Sequence, residues 1–415
     1  MRLLILELNE FNYEILRKYS NKYNFTYIKK TLKFYHSKTF TKDKYEGNNN
    51  QRGFLDPWSQ WVSIHTLKSS KHHKIKNLGD IPKLKFKQFW EIKKELDFYI
   101  WGPMNASRRN SSNVKLFFPD PWVFTEKAYP GNLNKLLGPI KKIIKEREIK
   151  GISNKISFFI SMILIIKNFI GLSFVIKNFF KTILDFVVYR KSYVIFCNWE
   201  LLCLKILLNN IRNKKNFISI YFINSLAHVQ HHYWQNKKYN KEITYCLKYL
   251  DRMIEEVYKC KNFNILLMNG LSQKNSEKEK LCLYEQKNHV KFLKQLNINF
   301  LKIEKLMTND TYIFFKNYSD TIKCKKILNS IKFQNKKIFH VQVIDYNKIF
   351  YKTNFIKKVR KDEVFSNSNI KFKFLDYFQF ITLRRGIHDQ VGDILSEKKL
   401  FPKKIENHKI FNYIK

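Results

Sequence analysis

Glycine and proline are scarce in this chain, 11 and 8 of 415 residues. No glycine-rich loop is present to cradle a phosphate, which excludes the P-loop and dinucleotide-fold routes to nucleotide binding. No internal repeat is present either. Acidic residues are few, 34 against 78 lysines and arginines, for a net charge of +44. The six cysteines (Cys197, Cys203, Cys246, Cys260, Cys282 and Cys324) show neither metal-type pairing nor a disulfide ladder. They read as structural thiols of a reducing compartment, so a cytoplasmic location is expected. Long hydrophobic runs are also missing. The stretches 156–166 and 168–176 are split by Lys167 and closed by Lys177. Neither reaches the roughly 20 residues needed to span a bilayer. With Lys181, Asp185, Arg190 and Lys191 following, they are expected to be amphipathic helices folded onto the body. Peripheral membrane contact through 151–190 is a second expectation. The opening Met1-Arg-Leu-Leu-Ile-Leu-Glu-Leu-Asn is too short and too soon acidic for a signal peptide, and reads as a core strand.

What is abundant is apolar and aromatic: 44% and 16% of the residues, a globular composition. The lysines are spread along the chain instead of forming a stripe, so they read as solvated faces and not as a specific nucleic-acid site. Arg2–Leu8, Leu96–Trp101, Phe217–Ile223 and Phe263–Met268 read as strands, and Phe86–Lys94 and Tyr239–Lys259 as helices. In the last, Ile243, Leu247, Leu250, Met253, Ile254 and Val257 make one apolar face. This alternation predicts an α/β fold with a mostly parallel central sheet. Residues 135–215 interrupt it as a helical insertion or cap, and the pattern weakens from 300 to 415.

Polar residues cluster where the strands stop. Strand one runs into Asn9 and Glu10. Phe217–Ile223 stops at Asn224, and three of the eleven histidines follow at 228, 231 and 232. A helix starting at Asn224 puts Asn224 and His228 one turn apart on one face. Asn224 also suits a plain helix N-cap. Further polar groups lie in Asp56-Pro-Trp-Ser-Gln-Trp-Val-Ser-Ile-His-Thr66, His73-Lys-Ile75, Met268-Asn-Gly-Leu-Ser-Gln273 and Gly386-Ile-His-Asp-Gln-Val-Gly392. His388 is the most suggestive of these, because its flanking glycines permit close backbone approach in a glycine-poor chain. His65 and His72 read as ordinary polar groups, and Trp58, Trp61 and Trp234 as core aromatics. Asn105, Asp120 and Asp389 read as turn residues.

In this order and spacing the motifs resemble the alkaline-phosphatase superfamily, in particular the type I phosphodiesterase and nucleotide pyrophosphatase branch. The nearest pattern, Pro57-Trp-x-Gln-Trp-Val-Ser-x-His-Thr66 with Asn224-x-x-Ala-His-x-Gln-His-x-Tyr-Trp234, is similar to a bacterial subfamily of it. The resemblance implies a three-layer sandwich over a single domain, 1–415, with the 135–215 insertion inside it. It implies a metal-dependent hydrolase or transferase for a phosphate or sulfate ester. Asn9, Asn224, His228 and His388 stand at the metal-ligand positions, with zinc as the expected ion. Ser59 is the hydroxyl nearest the nucleophile position, which falls near Pro57, and Gln60 stands at the loop's Asn. The departures are specific. Asn9, Asn224 and Asn269 replace carboxylates, and Gly270 replaces a histidine. An amide supplies no charge to offset a divalent cation. The expectation is therefore a degenerate site, with Glu7, Glu10 or Asp56 as substitute carboxylates, or a catalytically inactive binding or assembly protein on the same scaffold.

Overall fold

A computed structural model describes residues 1–43, 55–146, 161–235, 239–260, 263–306, 309–333, 335–366 and 371–414. The chain divides into two compact units. The described part of the second is Asn275–Gly386, and the first holds the rest.

The first unit is built on an eight-stranded sheet. Its strands are β1 (Arg2–Leu8), β2 (Tyr35–Phe40), β3 (Asp97–Trp101), β4 (Val114–Phe118), β5 (Phe217–Ile223) and β6 (Asn264–Met268). A short ribbon follows, β7 (Ser272–Asn275) with β8 (Gly386–Asp389). Then β9 (Val391–Ser396) and β10 (Lys404–Glu406) complete the large sheet, in the order β10-β2-β9-β6-β1-β5-β3-β4. Only β9 runs antiparallel to its neighbours; every other pairing in the sheet is parallel.

The central strands are buried on both faces, which is why they read as unbroken apolar runs without alternation. Leu4, Leu6 and Leu8 of β1 enter one core cluster; Leu3 and Ile5 enter another. The first cluster is covered by α1 (Tyr13–Tyr23), α5 (Tyr193–Ile211) and α7 (Lys241–Lys259). The second is covered by α2 (Pro57–Thr66) and by Trp90 and Phe411. Three layers result. All six apolar residues predicted for the α7 face are buried. The predicted helix Phe86–Lys94 is a single turn, Phe89–Ile92, closed by a reciprocal capping box between Gln88 and Glu91.

The insertion expected at 135–215 contributes α3 (Asn134–Glu146), α4 (Leu172–Tyr189) and α5; residues 147–160 of it lie outside the described residues. α5 is a core-layer element, with Leu201, Leu204 and Leu208 packed in the β1 cluster. Among the described residues it alone is long and apolar enough to cross a membrane, and 61% of that stretch is buried in the protein.

The second unit is antiparallel and aromatic. Lys302–Lys305, Asp310–Phe314, Lys348–Thr353 and Phe339–Asp345 form one four-stranded sheet, and Leu281–Gln286 pairs with Phe378–Arg384. Phe292, Phe339, Phe374 and Phe378, with Tyr284 and Tyr351, fill its core.

Candidate metal centre

The carboxyl ends of β1 and β5 lie side by side, because the two strands pair in parallel from Arg2 with Phe217 to Leu8 with Ile223. The Asn9 amide extends that register by donating to the Ile223 carbonyl at 2.8 Å. Such an edge is where parallel sheets place their chemistry. Glu10 then takes a left-handed backbone, φ +53°, a conformation that costs a side-chain-bearing residue free energy and tends to persist where function requires it.

The Glu10 carboxylate is buried and lies close to three side-chain nitrogens. Its Oε2 lies 2.6 Å from Gln273 Nε2, 3.0 Å from His231 Nε2 and 3.4 Å from His388 Nε2. Gln273 also donates to the Ala227 carbonyl, and Gln230 donates to the Glu10 carbonyl, so both ends of the acid are anchored. Burial pushes the Glu10 carboxyl up, but the His388 and His231 imidazoles and the hydrogen bonds from His231 and Gln273 outweigh it. The acid is held well below the usual carboxylate range. It therefore stays ionised through the physiological range.

Ligand-capable atoms of Glu10, His231 and His388 all lie within 4.8 Å of one another. His388 Nδ1 faces Asp56 Oδ1 at 3.2 Å. A proton on Nδ1 donates to that carboxylate and leaves the Nε2 lone pair for the cluster, which is how a carboxylate orients a metal-binding histidine. Asp56 is the N-cap residue of α2, with Pro57 at the first helical position, yet its side chain makes no cap hydrogen bond. It is turned to His388 instead.

Asn224 behaves in the same way. It sits at the N-cap of α6 (Ser225–Tyr233) without a side-chain cap bond. Glu200 of α5 does the capping, accepting from the Asn224 and Ser225 amides at 2.7 and 2.8 Å. The Asn224 side chain is thereby released to accept from Asn9 Nδ2 at 2.7 Å and to meet His228 Nε2 at 3.2 Å. Asn9 Nδ2 also reaches Glu10 Oε1 at 3.2 Å, while its Oδ1 accepts from Trp61 Nε1 at 3.0 Å. The four residues expected as metal ligands are thus joined in one chain of contacts, His228–Asn224–Asn9–Glu10–His388. Within it the asparagines hold Glu10 Oε1 in place. Glu10 and Asp56 are legible in the sequence as substitute carboxylates; His231 and Gln273 lie in the same motifs, but nothing in their spacing assigns them a role.

The two expected catalytic residues are placed differently. Ser59 is 1% exposed and its hydroxyl donates to the Ile75 carbonyl at 2.8 Å. Gln60 is fully buried, donating to Gln390 Oε1 at 3.1 Å and accepting from Asn407 Nδ2. Among the described contacts, neither touches Glu10, His231 or His388. Asn269 is buried as a stitch between strands: Nδ2 donates to the Phe11 carbonyl and Oδ1 accepts from the Asp393 amide. Gly392 is required beside it, because a Cβ there would sit 2.4 Å from Asn269 Oδ1 and 2.9 Å from its carbonyl oxygen. His73 is a neutral structural histidine. Burial pushes it down to about 4; Nδ1 accepts from the Ile75 amide, so Nε2 donates to Ser63 Oγ.

The Glu200 cap carries its own pH dependence. Burial raises its carboxyl from 4.5 to about 7, against the lowering effect of the Ser225 and Asn224 hydrogen bonds. A raised folded-state acid binds protons that the unfolded chain has already lost, so this group erodes stability as pH rises from about 4.5 to 7. The effect is on the order of 3 kcal/mol when complete. Glu200→Gln keeps the accepting oxygen and removes the ionisation. We expect the variant to melt higher than the parent at pH 8 and to lose that advantage at pH 4.5. Equal offsets at both values would refute this account of the cap.

No family model matches the chain, and no curated protein does. Solved structures do. Phosphonoacetate hydrolase from Sinorhizobium meliloti 1021 is similar with a TM-score of 0.44 and 9% identity, over 99% of this chain and 94% of that one. Human ectonucleotide pyrophosphatase/phosphodiesterase 5 is similar at 0.41 and 10%, over 100% and 94%. The TAB5 alkaline phosphatase, as a point variant with magnesium bound, is similar at 0.38 and 8%, over 100% and 96%.

Proposed function

We propose that the protein is a metal-dependent hydrolase or transferase of a phosphate or sulfate ester, working with a single cation held by Glu10, His231 and His388. The observation that carries this reading is the convergence of those three donors on one point at the sheet's carboxyl edge, with Asp56 oriented behind His388. Two imidazole nitrogens and one carboxylate are a donor set that zinc takes with a position left open. Such an ion, when bound, polarises an ester oxygen and lowers the pKa of coordinated water.

The protein's own groups have defined tasks in this reading. Glu10 supplies the negative charge that the asparagines at positions 9 and 224 cannot. Gln273 and Asn9 fix its two oxygens. Asp56 fixes the His388 tautomer, and the His228–Asn224 pair extends the polar wall towards solvent, since His228 is exposed. Ser59, with its hydroxyl given to the Ile75 carbonyl, is best read as support for the 57–66 helix, and water as the attacking group. That same burial favours the alternative, a catalytically inactive binding protein.

The experiment is turnover of a diester, a monoester and an aryl sulfate by metal-loaded and chelated protein. Metal-dependent turnover of at least one supports the enzyme. A metal-loaded protein inert towards all three favours the inactive alternative.

A further inference from the structure

Helix α4 is built inside out. Its buried residues are Val175, Asn178 and Thr182, two of the three polar. Asn178 Oδ1 accepts from Arg252 of α7 at 2.9 Å, and Thr182 Oγ1 donates back to the Asn178 carbonyl. One turn on, Asp185 Oδ2 accepts from the Tyr245 hydroxyl at 2.7 Å and pairs with Lys181. The opposite face carries Leu172, Ile176, Phe180, Leu184, Val187 and Val188, with exposures from 42% to 75%. Leu172, Ile176, Phe180, Leu184 and Val188 recur every four residues, with Val187 three after Leu184, and line up as one stripe, about 24 Å long at 1.5 Å per residue.

A helix that turns its polar side chains to the protein and its aliphatic and phenyl groups outward has the opposite of ordinary amphipathic placement. Exposed apolar surface of this extent marks an interaction site. The charges around it identify the partner. Between Ser161 and Phe196 the sequence has five basic residues, Lys167, Lys177, Lys181, Arg190 and Lys191, and one acid, Asp185. That acid is turned to Tyr245, and Lys167, Lys177, Arg190 and Lys191 are exposed. The stripe residues themselves carry no hydrogen-bonding group, and the polar side chains beside them on that face are the small Ser173 hydroxyl and the Lys177 ammonium, both exposed. An apolar helix face bordered by lysine, on a chain of net charge +44, matches the acyl boundary and headgroups of an anionic lipid surface.

We propose that the α4 face docks the protein peripherally on an anionic membrane leaflet, the helix lying in the plane of the interface. This holds whether or not the metal centre turns over.

The test is co-flotation of the full chain with vesicles of phosphatidylcholine alone and with about one third phosphatidylglycerol. Binding is expected at least tenfold stronger to the anionic vesicles, weakening as salt screens the lysines. The double variant Phe180→Glu/Val187→Glu should lose at least tenfold of that binding. Both positions are solvent-exposed, at 60% and 62%, so its melting temperature and metal content should match the parent. Lys177→Glu/Lys191→Glu should remove the preference for anionic vesicles. The proposal is overturned if the parent does not float with anionic vesicles at low salt, or if the Phe180/Val187 variant binds as well as the parent. It is overturned equally if the variant instead dissociates a homodimer or protein complex while vesicle binding is absent, since the face would then be a protein interface.

Discussion

Glu10→Gln should abolish metal binding and cut any ester turnover by at least a thousandfold. The substitution keeps the shape and one accepting oxygen, so the contacts of Oε1 with Asn9 and the left-handed turn can persist. What it removes is the only negative charge among the three converging donors. Two neutral imidazoles and an amide are a much poorer match for a divalent cation than two imidazoles and a carboxylate. The amide also presents an NH2 group to the site, which donates and cannot ligate. Asn9→Asp is the informative companion. It adds a second carboxylate 3.2 Å from Glu10 Oε1 at the Nδ2 position and removes the donor that holds it. In the metal-free protein that places like charges together, so the variant should lose thermal stability and regain it when the cation is added. Melting curves with and without metal measure both effects. An unchanged metal content in Glu10→Gln would place the cation elsewhere.

The second large effect concerns stability. Glu7 and His65 form an acid–imidazole pair at 2.8 Å, with side chains 0% and 1% exposed. Glu7 lies on the face of β1 opposite to Leu6 and Leu8. His65 comes from α2, against Trp61 and Trp90. Among the described residues, Glu7 Oε2 and His65 Nδ1 find no hydrogen-bond partner. Each group therefore depends on the other. His65→Phe should cost roughly 3–5 kcal/mol, the penalty for stranding one member of a buried pair. Glu7→Leu/His65→Phe should recover most of that loss, because apolar replacement of both partners removes the desolvation penalty. Denaturant unfolding of the two singles and the double closes the cycle. Additive losses would show that the residues do not act as a pair.

Much of this was readable from the sequence, for physical reasons. β1 and β5 have the predicted ends because their apolar runs stop at polar residues, and burial on both faces leaves no alternation to blur the limits. The α7 face followed from its 3.6-residue period. Asn9, Asn224, His228 and His388 were grouped by the order of the motifs in the family resemblance; the parallel pairing of β1 and β5 accounts for the closeness of Asn9 and Asn224, and His388 comes from the separate β7–β8 ribbon. The role of Glu10 was harder to see. Its carboxylate reaches His231 and His388 through a positive φ at a residue with a side chain, which no glycine announces. Ser59 looked available in the motif, but the position of a helix relative to the Ile75 carbonyl is a tertiary fact. The apolar content of α4 was plain, yet hydropathy cannot tell which face is buried. Only the burial of Asn178 and Thr182, with Asn178 and Asp185 engaging α7, reveals that the polar side is the inner one.

The central claim is that Glu10, His231 and His388 hold a cation. Its most direct measurement is the metal content of purified protein after zinc loading and desalting, wild type beside His388→Ala. One equivalent per chain in the wild type and a background level in the variant is the expected result. No retained metal in the wild type, or the same content in both, would contradict it.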